Sequence, residues 1–174
     1  MRTHTLRNLT FSLAIALPFA ASIRAQDAPA QGADSAFLQQ AGQACADQIR
    51  LGELATQNAS NQQVKDFARK AMDENSRIND ELKTLAAAKN VSLPAEMGLK
   101  DQAGYKTMSS KRGEEFDKIY IASMVKNHQN HVAAFEKEAN DGKDPDVKAF
   151  AAKALPILRD QLKSAQTIAG EVAK

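Results

Sequence analysis

Two histidines, His128 and His131, sit three residues apart in FDKIYIASMVKNHQNHVAAFEKEA, residues 116 to 139. Imidazoles at this spacing on a helix supply half of a divalent-metal clamp, with Glu115, Asp117 or a second chain as candidate completing ligands, so His128 and His131 are the candidate metal residues. The surrounding sequence favours a different use. On a 3.6-residue helix, Ile121, Met124, Val132, Phe135 and Ala139 fall within about 40° of His128, which places its imidazole inside an apolar stripe. His131 lies about 60° to one side and reads as incidental. Cys45 is the sole cysteine, so no intrachain disulfide can form. Between Ala44 and Ala46 it reads as a small buried hydrophobe, and the alternatives are an intermolecular disulfide or a redox thiol. A Cys45–His128 catalytic pair would lack an orienting group and a cleft. The chain contains no Gly-rich phosphate loop, no G-x-S-x-G elbow and no CxxC.

The elements that position these residues are all helical by pattern. Asp34 or Ser35 caps a first helix running to about Asn58, with Phe37, Ala41, Ala44, Gly52 and Ala55 on one face and Gln48 at its centre. A second helix starts near Ser60 or Asn61 and repeats apolar residues at Val64, Phe67, Ala68, Ala71, Ile78, Leu82 and Leu85, interrupted by Asn75. Lys89 and Asn90 end it, and Pro94 and Gly98 punctuate a long connection over 91 to 112, in which Leu99, Tyr105 and Met108 anchor a short helical turn. The third helix enters near Lys111 to Glu115 and stops at Asn140 to Gly142. Asp144 followed by Pro145 starts a fourth, with Gln161 near its apolar stripe and Pro156 predicting a kink at 152 to 156.

Two segments repeat. VKDFARKAM at 64 to 72 matches VKAFAAKAL at 147 to 155, and counting back from Ala59 and Ala139 sets Gln48 opposite His128. The fold class is therefore all-α: a four-helix bundle made of two helical hairpins joined by a long connection. Some 20 residues of connection reach about 60 Å, enough to run the length of a helix of about 45 Å, so both a crossover and an up-down arrangement are open. Each helix brings one polar residue to or near the core: Gln48, Asn75, His128 and Gln161. Three carboxamides and one imidazole carry no negative charge and make a poor set for iron, zinc or manganese. A neutral hydrogen-bonded network that sets helix register is the simpler reading, since an unpaired buried polar group costs about 1 to 3 kcal/mol.

The N-terminus MRTHTLRNLTFSLAIALPFAASIRAQ has two early arginines and then an apolar run from Phe11 to Ala21, the layout of a secretory leader over residues 1–25. Residues 26–33 form a polar tether, and 34–174 the helical domain. Removing Arg2, Arg7 and Arg24 leaves 20 basic against 21 acidic residues, so the precursor's basic balance gives no case for nucleic acid as a partner. Charges that alternate in sign over Lys100 to Lys118 limit any membrane association to a peripheral one. The expected setting is the periplasm or cell envelope, with an unidentified protein partner or self-association.

LGELATQNASNQQVKDFARKAMDENS, the Leu93-Pro94 pair, the His128 helix and DPDVKAFAAKALPILRDQLKSA together resemble the bacterial domain of unknown function 4142, in order and spacing, over about residues 35 to 168. This family of exported proteins is often labelled outer membrane protein. The resemblance implies a ferritin-like four-helix bundle with no established activity. It also implies core positions that in the family hold Glu, Asp-His, His and His on successive helices. Here they read Gln48, Glu74-Asn75, His128 and Gln161, so only the third-helix histidine is kept and the interior metal site is degenerate. The function expected is non-enzymatic, structural or interaction-based, with no cofactor. The alternative is a periplasmic metal-binding or ferroxidase-like stress protein that uses His128 to hold a divalent metal.

Overall fold

The computed structural model describes residues 32–94 and 99–174, with the backbone alone at 99–101. The leader and most of the tether fall outside that range. Among the described residues every regular element is a helix: α1 Ala33–Asn58, α2 Gln62–Ala88, α3 Leu99–Ser109, α4 Gly113–Asp141 and α5 Pro145–Val172. Helices α1 and α2 pack as one hairpin and α4 and α5 as another, with α2 against α5 and α1 against α4. The fold class is all-α as expected, with five helices rather than four. The turn expected around Tyr105 and Met108 is an 11-residue helix, α3, which touches α1 and α4.

Hydrogen bonds at the ends set the direction of each helix. Asn58 at the end of α1 donates its Nδ2 to the Lys111 carbonyl just before α4, while Asp34 at the start of α1 meets the α4–α5 turn. Lys89 at the end of α2 reaches Asp144 and Asp146 at the start of α5. Helices α1 and α4 therefore run antiparallel, as do α2 and α5. The chain leaves α2 at one end and enters α4 at the other, so the connection is a crossover along the whole length, a span of about 40 Å for helices of this size.

Local sequence accounts for most helix ends. Asn61 accepts from the amides of Gln63 at 2.8 Å and Val64 at 3.3 Å, and Asp144 accepts from Asp146 at 2.9 Å and Val147 at 3.1 Å. At the end of α2, Asn90 takes a left-handed φ of 56°, and the amides of Val91 and Asn90 return to the carbonyls of Ala86 and Ala87. Helix α1 departs from expectation. It begins at Ala33 on Gly32, with no side chain capping it, because the Asp34 carboxylate turns instead to the amides of Lys143 and Asp144 at 3.1 and 2.9 Å. Helix α5 runs on through Pro156; the proline and the carbonyl-bearing Ala152 one turn earlier both lie on the exposed face.

The core divides into two apolar clusters along the helix axes. One holds Leu51, Phe67, Ala71, Phe116, Tyr120, Met124 and Ala165; the other holds Phe37, Cys45, Ile78, Leu82, Phe135, Phe150 and Leu158. Gly52 lets α1 and α2 close up, since a Cβ there would lie 2.3 Å from Met72 Cγ. Cys45 is 3% exposed and its thiol is pushed up to about 12 by burial, which leaves it a packing group and not a nucleophile.

The two hairpins are equivalent at a constant separation of 83 residues. This relates the caps Asn61 and Asp144, the buried pairs Val64 and Val147, Phe67 and Phe150, and the helix ends Asn58 and Asp141. The separation extends through α1 and α4, where Phe37, Leu38, Ala41, Cys45 and Ala55 and their counterparts Tyr120, Ile121, Met124, His128 and Glu138 are all buried. Gln48 therefore stands opposite His131, and the register that set it opposite His128 is corrected by three residues. The error lay in equating Ala59 with Ala139, whereas Ala59 and Gly142 are the equivalent C-caps.

Candidate functional site

Gln48, Asn75, His128 and Gln161 are 2%, 3%, 0% and 3% exposed, and they come to one level of the domain, between the two apolar clusters. Each has one cluster a turn above it and the other a turn below: Leu51 and Cys45 about Gln48, Ala71 and Ile78 about Asn75, Leu158 and Ala165 about Gln161. Burial at such a level makes each unpaired polar atom costly. Asn75 meets that demand within its own helix, donating Nδ2 to the Ala71 carbonyl at 2.8 Å. Gln48 does not, for its Oε1 is buried without a partner among the described residues.

His128 and Gln161 join directly. The imidazole Nε2 lies 2.9 Å from Gln161 Oε1 and its Nδ1 lies 2.8 Å from the Met124 carbonyl, while Gln161 Nε2 donates to Glu74 Oε2 at 2.8 Å. Both ring nitrogens thus face acceptors. A neutral ring has one N–H, so only one of the two nitrogens donates, and which one is set by the tautomer and by the orientation of the Gln161 amide. Burial lowers the His128 pKa, and the bonds to Met124 and Gln161 and the charge of Glu74 work against that lowering.

His131 does not join this row. Its ring centroid lies 5.8 Å from that of His128 at 55°, and its pKa is lowered to about 4 by burial and then by His128, so it is neutral near pH 7. The carboxylates considered as completing ligands are engaged elsewhere. Asp117 accepts from the Ser60 amide and hydroxyl and the Asn61 amide, the hydroxyl at 2.6 Å, and Glu115 pairs with Lys111 at 2.6 Å. Asp117 is 11 residues from His128 on the same helix, a rise of about 16 Å. Among the described residues no group of three or more His, Cys, Asp or Glu side chains is placed to hold a metal ion. A divalent ion at His128 would have to displace Gln161 or the Met124 carbonyl, and among the described residues no group of three ligating side chains converges there, so the residues present do not fit one.

Two features escaped sequence reasoning. Asp34 and Asp117, 83 residues apart, each sit in the first turns of one hairpin and hold the turn amides of the other. Glu138, 7% exposed, has an Oε1 buried without a partner among the described residues, and its carboxyl is raised to about 7 by burial first and then by the neighbouring Asp34 carboxylate. An ungapped comparison of the two halves would have exposed the aspartate pair. Nothing local to Glu138 distinguishes it from a solvated helix carboxylate.

The architecture defines the protein's class as a helical domain of two equivalent hairpins joined by a crossover. Residues 20–168 match the model of the domain of unknown function 4142, and the chain belongs to that family. Among solved structures it is similar to the crystal structure of a fragment of a second domain of unknown function, 305, from Deinococcus radiodurans. The TM-score is 0.73 at 14% identity, over 82% of this chain and 99% of that one, a likeness of fold alone. No protein with a curated description matches the sequence.

Proposed function

We propose that this chain is an exported, non-catalytic member of its family with ferritin-like topology, acting as a structural or interaction domain of the cell envelope. The reading rests on one observation above all: both nitrogens of His128, the candidate metal residue of the alternative reading, are in hydrogen-bond contact within the protein, with Met124 and Gln161. A crossover between hairpins is the topology in which carboxylates and Glu-x-x-His motifs build interior di-metal sites, and here amides stand at those places. The row Glu74–Gln161–His128 links α2, α5 and α4 and fixes their register, which is work a neutral network does as well as a metal. The leader-like N-terminus supports the envelope assignment.

Elemental analysis of the purified protein, with and without His128→Ala, tests this. The expectation is sub-stoichiometric iron, zinc and manganese in both, and a melting temperature unmoved by excess metal. Stoichiometric metal that disappears in His128→Ala would overturn the reading in favour of a metal-binding stress protein.

A further inference from the structure

Helices α1 and α4 part along their shared side to leave a cleft of about 500 Å³, bounded at one end by α3 through Gly104, Tyr105 and Met108. Its walls obey the internal repeat. Gln40 and Ser123, Gln43 and Lys126, Ala44 and Asn127 are equivalent residues 83 apart, as are Asp47 and Asn130, Gln48 and His131, Leu51 and Ala134; because α1 and α4 run antiparallel, the members of the outermost pairs lie towards opposite ends of the cleft. The cleft therefore straddles the axis that relates the two hairpins. It runs from Phe37 to Leu51 along α1, a length of about 20 Å.

The chemistry of the walls is specific. Five carboxamides, Gln40, Gln43, Gln48, Asn127 and Asn130, line it and together carry donors and acceptors, with Gln43 Nε2 held by Asp47 Oδ1 at 2.9 Å. His131 is neutral and its ring nitrogens take no hydrogen bond from the described residues, so it adds one donor and one acceptor. One acid, Asp47, and one base, Lys126, leave no net charge to attract an ion. Gln48 also lines the cleft, 2% exposed, and its Oε1 is buried with no partner among the described residues, so a ligand meets that acceptor once the carboxamide turns over. Native proteins rarely leave such an acceptor empty. The rings of Phe37 and Phe135 at one end and Tyr105 at the other give flat apolar faces. The volume is that of a small-molecule site.

We infer that the α1–α4 cleft binds an uncharged, sugar-like ligand of about two rings, its hydroxyls shared among the carboxamides and His131 and its C–H faces against the aromatic ends. Carboxamides suit vicinal hydroxyls because each can donate to one and accept from the next, and no charge need be desolvated on either side. This goes beyond the interaction role proposed above and does not depend on the absence of metal.

Saturation-transfer NMR and calorimetry on the full chain test it with maltose and N,N′-diacetylchitobiose as neutral probes and glucuronate and glucosamine as charged ones. At least one neutral disaccharide should bind with a Kd near or below about 1 mM, with the charged sugars at least about tenfold weaker. His131→Phe and the exposed Asn130→Ala should each weaken binding about tenfold while the far-ultraviolet circular dichroism stays helical. Gln48→Leu, which removes the empty acceptor, should fold at least as well as the parent and lose binding too. Absence of saturation transfer from both neutral sugars at about 10 mM, tighter binding of either charged sugar, or equal binding by folded Asn130→Ala and Gln48→Leu would each overturn the inference.

Discussion

Replacing Glu138 with glutamine should change how stability depends on pH, and in a direction opposite to ordinary acid denaturation. Glu138 is 7% exposed, its carboxyl raised from 4.5 to about 7 by burial first and then by the neighbouring Asp34 carboxylate, with Lys137 and Lys148 pulling the other way. A carboxyl raised on folding holds a proton that the unfolded chain has already released. Its contribution is complete below about pH 4.5 and is lost as pH rises towards about 7. At 1.36 kcal/mol per pH unit the full loss is about 3 kcal/mol, reduced to about 2 kcal/mol by water at the α4–α5 turn. His131 acts with the opposite sign. Lowered from 6.5 to about 4, it contributes stability that is complete above about 6.5 and is lost on acidification towards about 4, and the lowered His128 adds to it. In the parent protein the two trends offset one another, and urea midpoints should be nearly level between about pH 5 and 8. Glu138→Gln keeps a donor for Asp34 and removes the titration, so its stability should rise by about 2 kcal/mol over that range. His131→Phe should do the reverse. Parent and Glu138→Gln curves that run parallel throughout would refute the raised carboxyl of Glu138.

Two further predictions concern the ends of the helices. Lys89, with its side chain 9% exposed, lies 2.7 Å from Asp144 and 2.8 Å from Asp146 and is raised chiefly by its hydrogen bond to Asp144. Burial would raise Asp144, but this lysine and the amides of Val147 and Asp146 outweigh it, so the carboxyl stays ionised. Lys89→Met leaves that mostly buried carboxylate with its two amides but without a counter-charge and should cost about 2 kcal/mol in urea unfolding, against less than about 0.5 kcal/mol if the pair is merely a surface contact. Asp117 is 1% exposed and satisfies two turn amides, so Asp117→Ala should cost about 2 to 4 kcal/mol and speed hydrogen exchange at Ser60 and Asn61; unchanged exchange there would show that water replaces it.

Much of the helical framework could be read from the chain because its signals are local. Asn61 and Asp144 announce their helices by type and by the proline or apolar residue that follows, and both cap as expected. The buried polar level was legible for a similar reason, since Asn75 and His128 interrupt apolar stripes of regular spacing. Helix α3 was underestimated because its sequence presents little apolar periodicity, and its packing is confined to a few contacts with α1 and α4. The direction of the crossover was not legible at all, as about 20 residues can span the domain or fold back with equal ease. The place of His131 on a cleft wall was not legible, because its angle on the helix sets it beside the core stripe and the parting of α1 from α4 depends on tertiary packing. The aspartates at 34 and 117 were missed as a pair, Asp34 being read as a local cap, because their partners lie 109 and 57 residues away.

Those aspartates have a consequence for how the molecule can be divided. Each hairpin contains a turn whose amides find their acceptor only on the other hairpin, so either half alone would present two bare N–H groups and an idle carboxylate at its ends. Each half therefore lacks acceptors that the other supplies, which couples the two in folding. The same exchange works between separate chains as well as within one. A single hairpin with an aspartate in its first turn and free amides at its bend is self-complementary about a two-fold axis, which is the arrangement a homodimer requires. The crossover then serves to tether two copies of one handshake, raising their effective concentration without altering the grip.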